Sequence, residues 1–564
     1  MMDSSPASTP TVRHPAWKVW ANPIFLRYCR SRLRPRGAGI ALLITLLVAG
    51  FSVALSTSIG TRFDMTPADA VRPAGIALFA IQSFVLFVIG TAQVAGGMTA
   101  ERDEGVIDYQ RLIPMSPVAK VMGYLFGLPV REYAMVLVTL PFTAWCLWQG
   151  EVELKYWGPL YVILFVTTLL YHFTGLVTGS VLRNRRWAFL TTIAMVFCLY
   201  TVIPQLAKFG LVFFKYLTII PVLMESLPGL LPATVGEVAR TAEQLAPTVK
   251  FFGLDFSEAV FTAFSQGGLI LTFTIMLRRR WQRSESHLLG KTWAAGFFAW
   301  IQVLLLGNAL PLIDVGSLFP SRGFNRMVRI LPNWTPEPSE AVLMSGVYGF
   351  MTMVLLFMLS YIITPTSDHQ LRGLRRARKQ GETKLPITSD AATSFGFVLV
   401  MALAGAGGWF YFTRELVESR WFPGAHLPII TLVFFAAVMI SAGIAFQALL
   451  EARGGRALGL AAIFVGVVPI MAGAVLGVRE SLIPVASWLI GISPASMPFY
   501  AATALIPISE VPVEASRAIP RAFYFWLMVG CITSIWLSVQ LFAKRRMMAE
   551  KVFRNSGEAD KTVT

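Results

Sequence analysis

TAERDEGVIDYQRLIPMSPVAK, residues 99–120, is a charged stretch between two long apolar segments. Because charged side chains are costly in hydrocarbon, this stretch predicts a loop beside a membrane. The charged run 101–104 predicts the opening turn of a short helix, since acidic side chains are favourable at a helix N-terminus. Gly105 is expected to interrupt that helix.

An apolar stripe and a proline follow within the same loop. Val106, Tyr109 and Ile113, together with Ile107 and Leu112, form a rough apolar stripe at helical spacing. Pro114 is expected to end the helix, because the residue before a proline avoids α geometry, and Ser116 begins a second turn. These features predict a short amphipathic helix on the membrane surface.

The order of residues in this loop resembles the cytoplasmic loop of ABC-2 type transporter permeases. The close match begins with Glu-Arg-x-x-Gly at Glu101 and ends at Gly123, and a looser match to the family's N-terminal cytoplasmic helix begins at Asn22. In that family the loop follows the second membrane helix and lies against a separate ATP-hydrolysing subunit. The resemblance implies ATPase-subunit contacts at Glu101, Arg102, Gly105, Asp108, Pro114 and Ser116.

The composition is that of a membrane protein. The chain has 564 residues, of which 55% are hydrophobic and only 14% charged, and its mean hydropathy is +0.62. The net charge of +17 comes from short basic clusters between apolar segments, which is typical of cytoplasmic loops. This pattern predicts contact with membrane lipids and argues against nucleic acid as a partner.

Twelve apolar segments predict an all-α polytopic fold made of two six-helix halves, with both termini in the cytoplasm. They lie near 38–58, 74–98, 121–148, 157–182, 187–206, 258–277, 293–312, 341–363, 392–412, 428–450, 457–478 and 522–542. The predicted organisation is an N-terminal tail and basic amphipathic helix over 1–36, a first half over 37–283, a second half over 284–546 and a C-terminal tail over 547–564.

Two further apolar regions, 207–256 and 482–505, are interrupted by prolines. If 210–224 crossed the membrane, the basic clusters at 278–283 and 372–379 would both lie outside, against the positive-inside rule. Both regions therefore predict re-entrant or interfacial excursions on the outer face. ABC-2 permeases carry short re-entrant helices between their fifth and sixth helices, so the resemblance implies the same.

Several residues within the spans invite a functional interpretation. Gly123 and Gly127 predict close helix packing. The pair Arg131–Glu132 is expected near the cytoplasmic interface, and His172 is expected to pack between helices rather than to carry protons. The four cysteines are not at metal-ligand spacing and predict neither a disulfide nor a metal site.

The basic stretch 364–389 occupies the place in the second half that 99–120 occupies in the first. It lacks the Glu-Arg-x-x-Gly pattern, but its position predicts a second ATPase contact. The residues expected there are Arg372, Arg375 and Arg376.

The chain shows no energy source of its own. The nearest string to a phosphate-binding loop, Gly290-Lys291-Thr292, has Glu285 where that motif requires glycine. The resemblance to ABC-2 permeases implies a transport subunit, expected to have no enzyme activity and no cofactor of its own. ATP is expected on a partner, a cytoplasmic ABC ATPase present in two copies.

Three alternatives remain open. An ion-coupled secondary carrier would need acidic residues deep within its spans, whereas Glu132, Glu258 and Asp314 lie near predicted ends. A membrane-embedded enzyme would need clustered carboxylates or histidines, and the five histidines show no zinc spacing. A non-transporting accessory subunit is the third. The preferred expectation is an ABC-2 permease of the inner membrane, an exporter by resemblance to the family.

Overall fold

The computed structural model describes residues 15–182, 184–232, 249–283, 285–321, 334–382, 385–508 and 513–559. Among these, twelve helices are long and apolar enough to cross a membrane. The only strands in the described residues form one hairpin, Val249–Phe251 with Leu254–Phe256. The protein is therefore an all-α, multi-pass membrane protein, as its composition predicts.

The described chain folds into two compact units, each with six of the candidate spans. The first extends to Pro204 and then from Phe214 to Glu285, except for Lys250–Leu254. The second takes that excepted segment, Gln205–Phe213 and the chain from Ser286 onward. Residues 1–14, 233–248 and 560–564, on which parts of the predicted tails and of the first excursion fall, lie outside the described residues.

The helices are numbered in chain order. Those that begin before Ser286 are α1 Pro23–Arg32, α2 Pro35–Arg62, α3 Pro67–Asp103, α4 Val106–Leu112, α5 Pro117–Gly127, α6 Val130–Gln149, α7 Leu154–Val181, α8 Arg185–Phe209, α9 Ile220–Leu230 and α10 Glu258–Gln282. Those that follow are α11 Lys291–Val315, α12 Pro338–Ile363, α13 Ser367–Lys379, α14 Phe395–Val417, α15 Ile430–Arg453, α16 Gly455–Leu476, α17 Ile483–Ile490, α18 Met497–Leu505 and α19 Val513–Ala559.

The two proline-interrupted regions form only short helices in the described residues. The first contains α9, of 11 residues, and the second contains α17 and α18, of 8 and 9 residues. Crossing a bilayer takes about 20 residues in a helix. Within the described residues of the two regions, the prediction that neither contains a full span is confirmed.

The predicted third span, 121–148, is not one helix. It is divided at Leu128 and Pro129 into α5 and α6, and only α6 has the length and composition of a span. Pro129 has no amide hydrogen to donate to the preceding turn, so a continuous helix would lose a hydrogen bond there. The division leaves α5 as a separate helix that can pack against α1.

A wide turn in α3 accommodates His172. Residues Val85–Gly90 form a π-helical segment, and the fully buried imidazole lies against it with Nε2 3.1 Å from the Leu86 carbonyl. Its Nδ1 is 2.9 Å from the Tyr133 hydroxyl. With both ring nitrogens hydrogen-bonded, His172 holds three helices together, in keeping with the packing role expected from the sequence.

The last helix is longer than the sequence indicates. The predicted C-terminal tail from 547 onward continues α19 as far as Ala559. Arg378 of α13 donates to the Val552 carbonyl at 3.0 Å, so this extension contacts the second basic loop. The extension is therefore part of the second unit's packing.

Candidate functional sites in the two charged loops

The first loop, residues 99–120, begins within the last turn of α3. The predicted opening turn at 101–104 is wrong, because Glu101, Arg102 and Asp103 continue α3 instead of starting a new helix. Extending an existing helix fixes one residue for each hydrogen bond gained, whereas nucleating a new helix is costly. Gly105 then reverses the chain with φ +72°, a conformation that glycine adopts without steric cost.

The predicted end of the short helix is confirmed. Helix α4 stops at Leu112, and Ile113 before Pro114 is extended, with φ −68° and ψ 133°. Ser116 caps α5, because its hydroxyl accepts a hydrogen bond from the Ala119 amide at 3.2 Å. These two turns fix the direction in which the chain enters and leaves α4.

The predicted apolar stripe of α4 is confirmed for Ile107 and is wrong for Tyr109 and Leu112. The buried residues are Ile107 and Gln110, whereas Tyr109 is 68% exposed and Leu112 81% exposed. Ile107 packs in a core that includes Met98 and Trp281. Rotating α4 to bury Ile107 turns Tyr109 outward, since neighbouring positions on a helix are about 100° apart.

Glu101 joins three helices of the first unit. Its carboxylate pairs with the Arg27 guanidinium of α1 and accepts hydrogen bonds from the hydroxyls of Tyr28, at 2.6 Å, and Tyr124, at 3.2 Å. The Glu101 side chain is only 14% exposed, whereas that of Arg27 is 42% exposed. Burial, together with the carboxylate, raises the pKa of both tyrosines well above the usual range, so both remain protonated donors.

The packing of α1 on α5 depends on two glycines. A Cβ at Gly127 would lie 2.8 Å from a Tyr28 ring carbon, and one at Gly123 would lie 2.7 Å from Asn22 Oδ1. The Asn22 amide caps α1 and donates to the Ala119 carbonyl at 2.6 Å. The close packing predicted from these glycines is confirmed, and the partner is the basic helix α1.

Two arginines of the first loop bind the carboxyl ends of membrane helices. Arg102 donates to the Ser180 carbonyl at 3.0 Å and also to Leu182 at the end of α7. Arg111 pairs with Asp108 and donates to the Arg280 carbonyl at 3.3 Å near the end of α10. Cations at these positions satisfy terminal carbonyls and complement the helix dipole.

The first loop therefore has an inner and an outer side. Among the six predicted contact residues, Glu101, Arg102 and Ser116 make the contacts within the unit just described, whereas Gly105, Asp108 and Pro114 are exposed. The outer side combines acidic and apolar side chains. Its side chains are those of Asp103, Glu104, Asp108, Tyr109 and Leu112. Tyr109 and Leu112 were assigned to the helix stripe by spacing, so their exposure was not foreseen.

The second loop, residues 364–389, contains α13 and is held by a carboxylate from another helix. Glu451, at the end of α15, accepts a hydrogen bond from Gln370 and pairs with Arg545, whose Nε lies 2.5 Å from Oε1. The Glu451 side chain is 1% exposed. Lys544 reinforces this attachment, since its Nζ lies 2.9 Å from Ser367 Oγ and 2.8 Å from the Ala452 carbonyl.

The outer side of α13 is cationic. The residues exposed there include the three predicted contacts, Arg372, Arg375 and Arg376, together with Arg378 and Lys379. Basic residues in the last turn are favoured by the helix dipole. The two loops thus present opposite charge on their outer sides.

Comparison with known proteins gives no relative: no family model, curated protein or solved structure matches the chain significantly. Within the described residues, no three histidine, cysteine or acidic side chains form a group that could hold a metal ion.

Proposed function

We propose that this chain is the membrane permease subunit of an ABC-2 type, ATP-driven exporter. It would lie in the inner membrane with both termini and both loops in the cytoplasm, which the basic clusters favour under the positive-inside rule. ATP would be hydrolysed by a separate cytoplasmic subunit, present in two copies. The observation that carries the proposal is the first loop, which exposes Glu104, Tyr109 and Leu112 while its inner side is fixed within the unit.

The geometry of the first loop suits the transmission of force. Glu101, Arg102 and Arg111 connect it to α1, α5 and the ends of α7 and α10. A push on the exposed side of α4 would therefore move several helix ends together. Closure of an ATPase pair beneath the loops would then shift packed helices as a body, a common form of conformational switching.

The outer side of the first loop has the composition of a protein contact. Tyr109 and Leu112 would supply apolar area, and the exposed Glu104 would select a partner with a basic rim. The cationic outer side of α13 would repel the same basic surface. Two identical ATPase copies would therefore dock unequally, with the first loop as the stronger site.

The test is binding of the ATPase that co-purifies with the tagged chain. The variant Y109S/L112S removes exposed apolar area and leaves intact the Glu101 cluster, that is, Glu101 with Arg27, Tyr28 and Tyr124. We expect at least tenfold weaker binding, since truncation of a central contact costs about 2 kcal/mol or more. The matched control is F63S/V478S, in which two similarly exposed apolar residues lie outside both loops. We expect the control to bind normally.

Charge reversal provides a second arm of this test. The variant E104K should weaken ATPase binding, whereas E415K, at an exposed acidic position outside both loops, should not. Equal binding by Y109S/L112S, E104K and the native chain would remove the first loop as the docking site. Failure of any phosphate-loop ATPase to co-purify would favour the carrier or accessory-subunit alternatives.

A further inference from the structure

The corner between α1 and α2 carries a second site, independent of ATPase docking. We propose that this corner binds the headgroup of an anionic phospholipid, with the acyl chains lying along α2. The site lies within the first unit and belongs to the membrane-facing part of the chain.

A cavity of about 630 Å³ opens where α1 ends and α2 begins. It is lined by Ser31, Arg32, Arg34, Pro35, Arg36, Gly37 and Arg131. Four of these seven residues are arginines and none is acidic. Guanidinium groups bind phosphate oxygens through paired hydrogen bonds, and basic pockets beside membrane helices are suited to phospholipid headgroups.

Two of the four arginines are held in place by contacts inside the unit. Arg32 donates to Gln93 Oε1 at 3.0 Å, and Arg131 pairs at 2.9 Å with the fully buried carboxylate of Glu132. Burial lowers the pKa of Arg32, Glu132 and Tyr28 oppose this, and the charges of Arg131 and Arg185 add to the lowering. The guanidinium stays charged, and a bound phosphate would accept hydrogen bonds from it.

The backbone supplies further donors. Helix α2 has 28 residues, and the amides of its first turn have no acceptor within the helix. Arg36 and Gly37 are both in that turn, and a Cβ added to Gly37 would meet nothing within 4 Å. The space beside Gly37 can therefore admit a phosphate group. The helix dipole also favours an anion at this end of α2.

The surface beyond the cavity distinguishes a lipid from a free phosphate. From the second turn onward α2 exposes a continuous apolar face. Its exposed residues include Ile40, Leu43, Ile44, Leu47, Phe51 and Leu55. Because this face belongs to a membrane-spanning helix, it contacts acyl chains in the bilayer. A headgroup in the cavity would therefore continue into chains along α2.

The experiment compares lipid binding by delipidated protein using native mass spectrometry. Cardiolipin, phosphatidylglycerol and phosphatidylcholine are each titrated into the native chain, into R34Q/R36Q and into the control R453Q/R456Q. The two variants lose equal charge at exposed positions. We expect the anionic lipids to bind the native chain more tightly than phosphatidylcholine, and R34Q/R36Q to bind them about 30-fold more weakly.

The control is expected to stay within about twofold of the native chain. Equal losses in both variants, or equal affinity for phosphatidylcholine, would overturn the proposal. Glycerol 3-phosphate is the competitor without acyl chains, and it should displace the lipid poorly. Displacement as effective as that by phosphatidylglycerol would identify a phosphate site instead of a lipid site. Thermal unfolding of R34Q/R36Q verifies that the variant is folded.

Discussion

The first and second loops are attached in similar ways, but their outer surfaces carry opposite charge. In the first loop, Glu101 belongs to the loop and recruits Arg27 and two tyrosines. In the second, the carboxylate is Glu451 of α15, and it accepts a hydrogen bond from the neutral amide of Gln370 in the loop. Each loop is thus attached through a carboxylate, while its outer side is acidic and apolar in the first loop and cationic in the second.

The contrast between the two loops separates two roles: holding the loop in place within its unit, and presenting a surface to a partner. The Glu-Arg pair of the first loop makes contacts inside the unit, so its role is to hold the loop in position. The outer residues, Tyr109 and Leu112 among them, are available to a partner. A loop without the motif, such as the second, can therefore still be firmly attached.

The largest expected difference between the loops is in stability. E451Q would leave Arg545 largely buried without its counter-charge, at a cost of about 3–5 kcal/mol. E101Q would lose charge-assisted hydrogen bonds at a more exposed site, at a cost of about 1.5–3 kcal/mol. Unfolding in detergent measures both, with the exposed E415Q as the control. A larger loss in E101Q than in E451Q would reverse the order of the two attachments.

The glycine contact of α5 tests whether α1 is part of the first loop's attachment. In G127A the new methyl group would overlap the Tyr28 ring at 2.8 Å, and such overpacking costs about 1–3 kcal/mol. G39A is the matched control, because a Cβ there meets nothing within 4 Å. Equal melting temperatures for G127A and the native chain would show that α1 does not need this close approach.

The smallest loss of stability is expected for Arg27, at the exposed edge of the Glu101 cluster. Arg27 is 42% exposed, so R27Q should cost less than about 1 kcal/mol. Combining R27Q with E101Q gives a double-mutant cycle that isolates the pair. A coupling energy as large as the whole effect of E101Q would mean that the ion pair, and not the tyrosine hydroxyls, holds the first loop.

Hydropathy and charge were enough to predict the number of spans, because a bilayer imposes length and composition on each helix. They did not predict the break at Leu128 and Pro129 that shortens the third span. The turns and helix ends at Gly105, Pro114 and Ser116 could also be predicted from the residue types. The rotation of α4 about its axis could not be predicted, because burial of Ile107 depends on packing with Trp281, which is distant in sequence. The inward contacts of Glu101 were hidden for the same reason, since their partners lie on α1 and α5.

Photo-crosslinking from position 109 tests the central claim most directly. A photoreactive benzoylphenylalanine replaces Tyr109, with the same substitution at Glu415 as the control, and intact cells are irradiated before the linked protein is identified by mass spectrometry. We expect a phosphate-loop ATPase to be linked at position 109 and not at position 415. Links from position 109 only to lipid or to this chain itself would contradict it.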